Sequence, residues 1–240
     1  MIRRTSIALS AAAAASFLVV GCTRAQDAGF GDKVHAYLMA HPEVIEEAVQ
    51  KLQEQKDQQS QLKAKAALQH DRQSLERDPR DFVANPNGKV TVTEFYDYRC
   101  PHCIDIAPKV VNLIRQHPNV RFVFKEMPIF GDTSEHAADA ALAAKEQGKD
   151  YVGLYEAMMA ARPLTDETID QLATAKGVDV KAMNAPATQA RYAAQIADIA
   201  ALAGKLHIVG TPGFVVGDVI IPGEDYDALQ VAITRAEAKA

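Results

Sequence analysis

The sequence predicts an α/β fold, and three observations carry that prediction. The run Val90-Thr91-Val92-Thr93-Glu94-Phe95-Tyr96 interleaves apolar and polar residues as a strand does. Ile106, Val110, Leu113 and Ile114 then recur at helical spacing, and Val120-Arg121-Phe122-Val123-Phe124 follows as a second strand. Strand, helix and strand in that order describe a βαβ unit, in which the helix carries the chain over to a parallel neighbour.

Taken from the start, residues 1–25 have the form of an export signal. Arg3 and Arg4 precede an apolar run from Ile7 to Val20, too short to span a bilayer comfortably. Two cleavage readings compete. Thr23-Arg24-Ala25 ends in a small-x-small pattern, with cleavage near 25/26, whereas Val19-Val20-Gly21-Cys22 resembles a lipoprotein box, with cleavage near 21/22 and Cys22 as the acylated residue. Under either reading Cys100 and Cys103 are the only free cysteines of the mature chain, so it has no structural disulfide. Loss of Arg3, Arg4 and Arg24 leaves 23 basic against 31 acidic residues, which disfavours nucleic acid as a partner. No later segment approaches membrane-spanning length, and the body is expected to be soluble.

Residues 27–78 predict an N-terminal helical extension. Val34, Tyr37 and Leu38 form a short apolar face; Pro42 sits where a first helical turn accepts it; Ile45, Ala48, Val49 and Leu52 repeat at three-to-four spacing. Gln53 to Gln61 then supplies nine residues without an apolar side chain. Such a helix either lies solvated against its own domain or has its stripe covered by a second copy of the chain, and self-association is the expectation adopted.

The catalytic domain is expected over 79–240. Asp78-Pro79-Arg80-Asp81 breaks the helical pattern, and Asn85-Pro86-Asn87-Gly88 marks a turn, read as a hairpin between Phe82-Val83 and the strand that begins at Lys89. Between Met127-Pro128 and Thr211 an Ala-rich region punctuated by Gly148, Pro163, Gly177 and Pro186 accommodates four or five helices, an insertion at about 133–206. Phe214-Val215-Val216, a Gly217-Asp218 turn and Val219-Ile220-Ile221 predict a hairpin. A final helix is expected from Asp225 to about Glu237.

At the strand-to-helix turn stands Cys100-Pro101-His102-Cys103. Two thiols two residues apart can close a small disulfide ring, and the positive end of the following helix favours thiolate at Cys100. A C-x-x-C at such a turn reads as thioredoxin-like. Structural zinc needs four ligands, and no second Cys/His cluster exists; haem attachment fails because Ile104, not His, follows Cys103. Met158, Met159 and Met183 are expected as core filler, the charges of 139–181 as solvated helix faces, and His35, His41, His70, His117, His136 and His207 as structural or solvent-facing.

Glu94-Phe95-Tyr96 with Cys100-Pro101-His102-Cys103, the helical insertion and Thr211-Pro212-Gly213 together resemble the DsbA family of periplasmic thiol–disulfide oxidoreductases. The Leu38…His41-Pro42-Glu43-Val44 module is similar to the subgroup of DsbG-like, Com1-like and suppressor-of-copper-sensitivity C (ScsC) proteins. The resemblance implies a thioredoxin fold with an inserted helical subdomain and a periplasmic location, with a membrane anchor if Cys22 is lipidated. It makes Cys100 the solvent-facing, attacking thiol and Cys103 the resolving one, has His102 stabilise the Cys100 thiolate and Pro101 stiffen the loop, and makes Thr211-Pro212 a cis pair that receives an extended substrate. It further implies that Glu94 is a buried acid that moves the proton of Cys103, and Lys125 on the neighbouring strand is read as its partner. No cofactor or metal is expected.

The N-terminal helices and Thr211 favour a disulfide isomerase or reductase, which needs a membrane reductase to keep it reduced. Pro101-His102 favours a monomeric oxidase fed by a quinone-linked membrane oxidant. In both cases the clients are unfolded or wrongly disulfide-bonded exported proteins. A reading of another class is a copper-binding or copper-buffering protein with the dithiol as ligand pair.

Overall fold

The computed structural model describes residues 27–240; the expected export signal and Cys22 lie outside the described residues. The chain divides into two compact units, Met1–Gln55 and Lys56–Ala240. The break falls within a long helix.

In the first unit, α1 (Asp27–Ala40) is followed by the opening half of α2 (Glu43–His70). Glu43 and Glu46 stand in the first turn of α2, where carboxylates complement the helix dipole. None of residues 29–55 is buried. Phe30, Tyr37, Met39, Ile45, Val49 and Leu52 are each at least half exposed.

The second unit is built on a five-stranded sheet, order β1-β3-β2-β4-β5, from β1 (Phe82–Ala84), β2 (Val90–Tyr96), β3 (Val120–Glu126), β4 (Gly213–Val216) and β5 (Val219–Pro222). Only β2 and β3 pair in parallel, joined by α4 (Pro101–Gln116) as the crossover. Every residue of β2 and β3 is buried, as expected of a parallel pair covered on both faces.

The expected hairpin between 82–83 and the strand from Lys89 does not form. β1 pairs antiparallel with β3 (Val83 opposite Val123), and β3 lies between β1 and β2. The turn does exist locally: Gly88 N–H donates to Asn85 O at 2.9 Å, while the Asn85 side chain donates to Ile114 O and His117 O. It leads β1 away from β2, under the end of α4. A Cβ on Gly88 would stand 2.5 Å from the Arg121 nitrogen, so only glycine lets the chain pass β3 this closely.

Strand alternation sorts side chains onto two cores. Val92, Tyr96, Phe122, Phe124, Phe214 and Val216 face one core with α4, α6 (Tyr151–Ala160) and α10 (Tyr226–Glu237). Phe95 and Val215 face the other with Leu68, Leu75 of α3 (Arg72–Glu76), and Ile199 and Leu202 of α9 (Pro186–Lys205). Between β3 and β4 run α5 (Asp132–Glu146), α6, α7 (Asp166–Ala175), α8 (Val180–Met183) and α9. Gly148 and Gly177, both at positive φ, follow α5 and α7, and Pro186 opens α9. Met158, Met159 and Met183 fill the core. One charge of this region departs from the solvated expectation: Asp139, on α5, is buried, and burial pushes its carboxyl up to about 6.

Candidate active site

β2 ends at Tyr96, and four residues carry the chain to the start of α4. Cys100 is the helix N-cap, Pro101 the first helical residue and His102 the next; proline's missing N–H costs nothing there. Cys103 lies one turn in, on the face that packs onto the sheet, and is fully buried. Both thiols are free.

Cys100 is not solvent-facing in this conformation, being only 2% exposed. Thr211 closes over it, and the Cys100 thiol donates to the Thr211 carbonyl oxygen at 3.1 Å. The Thr211–Pro212 peptide is cis. The two sulfurs thus differ less in exposure than in electrostatic surroundings. Burial pushes the Cys103 thiol far above the ordinary range; a backbone N–H at Asp97 opposes this, and the neighbouring Glu94 and Cys100 add to it. Deprotonating Cys103 requires an acceptor close by.

Glu94 lies close enough to act on Cys103 electrostatically. It is 2% exposed and lies on the α4 face of β2; its Oε1 accepts from the Tyr155 hydroxyl at 3.4 Å, and its Oε2 has no partner. Burial raises its carboxyl to about 8, only partly offset by Tyr155, so near neutral pH it holds a proton it can readily exchange. The expected Glu94–Lys125 pair is absent. In the parallel register Glu94 stands beside Phe124, and Lys125 beside Phe95, so Lys125 points to the opposite face. There it donates to Asp81 and, at 2.6 Å, to Ser74 O. Burial outweighs that ion pair and holds the Asp81 carboxyl at about 6.

Four further groups around the dithiol were not singled out from the sequence. Asp97, 1% exposed, accepts from Arg99 N (2.7 Å), Ile129 N (2.6 Å), Phe130 N (3.1 Å) and the Ser134 hydroxyl (2.8 Å), while its carbonyl accepts from Cys100 N. It ties the cysteine loop to the segment after β3, and Arg99 adds a bond to Phe130 O. Ile129 and Phe130, with Val209 ahead of Thr211, are exposed apolar residues on the loops next to the thiols. Glu126, on the same face as Glu94, gathers the hydroxyls of Tyr96, Tyr98 and Tyr151 and is raised to about 8 by burial. Tyrosines at 96 and 98 flanking an aspartate after a strand were the available signal. Lastly, exposed His102 makes a 3.1 Å hydrogen bond through Nδ1 to Glu224 Oε1. The structure therefore gathers Cys100, Pro101, His102, Cys103, Glu94, Thr211 and Pro212 at one end of the sheet.

Comparison with known proteins agrees with this geometry. Residues 80–235, more than half of the chain, match the thioredoxin family model, and residues 26–59 match the copper resistance protein ScsC N-terminal domain. A thioredoxin-like oxidoreductase from Silicibacter pomeroyi is 41% identical, covering 70% of this chain and 99% of that one at a TM-score of 0.63. Proteus mirabilis ScsC in a transitional conformation is 26% identical over 91% of this chain and 100% of its own, at 0.65. The thiol:disulfide interchange protein DsbA of Bordetella pertussis is 28% identical over 58% of this chain and 71% of its own length. The chain also matches the sodium/proton antiporter NhaA 3 of Salinispora tropica at 30% identity over 68% of this chain, but spans only 26% of that relative's length. Among the described residues no helix is long and apolar enough to cross a membrane. A dithiol capping α4 beside a buried glutamate, within the matched 80–235 segment, places the chain in the thioredoxin family, among the DsbA/ScsC-like thiol–disulfide oxidoreductases.

Proposed function

We propose that the chain exchanges disulfides with exported proteins in the periplasm, as an isomerase or reductase. The observation that carries the reading is the asymmetry of the dithiol: Cys100 caps α4 against the Thr211 carbonyl, and Cys103 is buried beside Glu94. The Cys100 thiolate attacks one sulfur of a client disulfide, forming a mixed disulfide and releasing the other client sulfur as a thiolate. In isomerisation a different thiol of the client attacks the mixed disulfide, forming a new client disulfide, and Cys100 leaves unchanged. In reduction Glu94, in its ionised form, takes the proton of Cys103, and the Cys103 thiolate attacks Cys100 Sγ. The client then leaves with both sulfurs reduced, having taken two electrons from the dithiol, which is now the Cys100–Cys103 disulfide and must be reduced again by a membrane thiol reductase.

Self-association through 27–78 supports the isomerase direction. The apolar residues of 29–55 lie uncovered, on a segment matched to the ScsC N-terminal domain, and a second copy offers an identical stripe to bury them. Monomeric oxidase is the second reading, favoured by Pro101-His102 and the DsbA relatives; it requires a quinone-linked oxidant instead. The test combines a mass measurement with and without residues 27–78 and a scrambled-ribonuclease assay. Cys100→Ala should abolish exchange, and Cys103→Ala should accumulate client mixed disulfides. Full activity in either variant overturns the assignment. A monomeric full-length chain whose isomerase activity survives the deletion favours the second reading, and stoichiometric Cu(I) binding without turnover would replace both with copper buffering.

A further inference from the structure

Outside the cysteine motif, one charged side chain reaches the redox loop from a distant part of the chain. Glu224 stands between β5 and α10, and three backbone features fix the place from which it acts. Gly213 pairs with Pro222 across the β4–β5 ladder, Gly223 N–H donates to Pro212 O at 2.8 Å, and Asp225 caps α10 by accepting from Ala228 N at 2.9 Å. Gly223 makes that approach at a φ of +72°, which other residues adopt only with strain. The turn is therefore bound to the segment whose Thr211 carbonyl accepts the Cys100 thiol.

From this turn Glu224 Oε1 accepts a 3.1 Å hydrogen bond from His102 Nδ1. A carboxylate oxygen accepts, and the ring nitrogen is the donor of this bond. Cys100 meanwhile directs its thiol at Thr211, not at the ring. With both thiols free, His102 Nδ1 is thus bonded to Glu224 and the Cys100 thiol to Thr211, so the Nδ1 donor is turned to the carboxylate and not to the sulfur.

We propose that Glu224 is a positioning residue that draws His102 away from Cys100 and so makes the Cys100–Cys103 disulfide less oxidising than the motif alone would be. A carboxylate that withholds a donor from the thiolate destabilises the dithiol form, and a destabilised dithiol form leaves its disulfide harder to reduce. The inference rests on the dithiol-exchange reading above. It also bears on direction, because a weaker oxidant is better suited to isomerisation or reduction.

The test is the equilibrium with glutathione. Two glutathione thiols give two electrons and two protons to the Cys100–Cys103 disulfide, yielding the dithiol and one glutathione disulfide. The chain has no tryptophan, so the reduced fraction is counted from the mass added by thiol alkylation after acid quench. Glu224→Gln and Glu224→Ala should each shift the equilibrium toward the dithiol by roughly two- to five-fold, the range spanned by an exposed ion pair. In a His102→Ala background the same substitutions should move it by less than about 1.5-fold, because coupled residues are non-additive. No shift in the parent background, a shift toward the disulfide, or an equal shift with and without His102 overturns the role of Glu224. If the parent protein fails to equilibrate with glutathione at all, the dithiol-exchange reading falls, and this inference with it.

Discussion

Replacing Glu94 with Gln should separate the stability of the folded chain from its chemistry. In the folded protein burial holds the Glu94 carboxyl at about 8, against an ordinary 4.5. Between those values the folded state keeps a proton that the unfolded state has lost. Stability therefore falls as pH rises, by about 1.4 kcal/mol per pH unit for each such proton, and the loss ends once pH passes the folded value. At pH 7 the accumulated cost is about 3 kcal/mol for this one group. Gln keeps the shape and an oxygen for the Tyr155 hydroxyl, and it does not titrate. Urea denaturation of the reduced proteins, followed by circular dichroism from pH 5 to 8, should show the variant more stable by about 1–3 kcal/mol at pH 7. The difference should shrink below about 1 kcal/mol at pH 5, with a shallower slope throughout. Glu126, raised for the same reason, contributes equally to both proteins and cancels. Release of a client from its mixed disulfide should slow by about a hundred-fold, the lower range for loss of a positioned acid–base group. Parallel stability–pH curves for the two proteins would refute the buried, proton-holding Glu94.

Asp97→Ala removes the acceptor for part-buried N–H groups at Ile129 and Phe130 and for the buried Ser134 hydroxyl; a loss of about 2–4 kcal/mol is expected in thermal or urea denaturation, with faster amide exchange at 129–134. Unchanged exchange there would show that Asp97 does not hold the segment. Lys125→Met leaves Asp81 buried without its cation and should cost about 3–5 kcal/mol at pH 8, less at pH 5 where the Asp81 carboxyl is protonated. Adding Asp81→Asn should restore most of the loss, and the glutathione equilibrium should not move, since Lys125 faces away from the thiols.

Much of the fold was legible because its signals are local. Turn residues at Gly148, Gly177, Pro186 and Gly217-Asp218 bound helices and a hairpin by backbone preferences that neighbours do not override. The hairpin expected at Asn85-Pro86-Asn87-Gly88 failed for a complementary reason. A turn signal records that the chain bends and does not say which strand receives it, and here β3 took the place beside β2. Lys125 was misplaced by the same kind of ignorance. Adjacent strands were foreseen, but a register shifted by one residue reverses which face a side chain occupies.

By itself the sequence determined the candidate site: a dithiol at a strand-to-helix turn, a glutamate six residues before it, and a Thr-Pro pair ahead of the last hairpin. These follow from spacing along one stretch of chain and from the chemistry of single side chains. The tertiary structure decided the surroundings that tune it: Thr211 closing over Cys100, Tyr155 as the partner of Glu94, Asp97 binding the loop after β3, and Glu224 reaching His102 from 122 residues away. Such contacts join segments far apart in the chain, and their partners are fixed by sheet order, register and burial, which no local pattern of residues encodes.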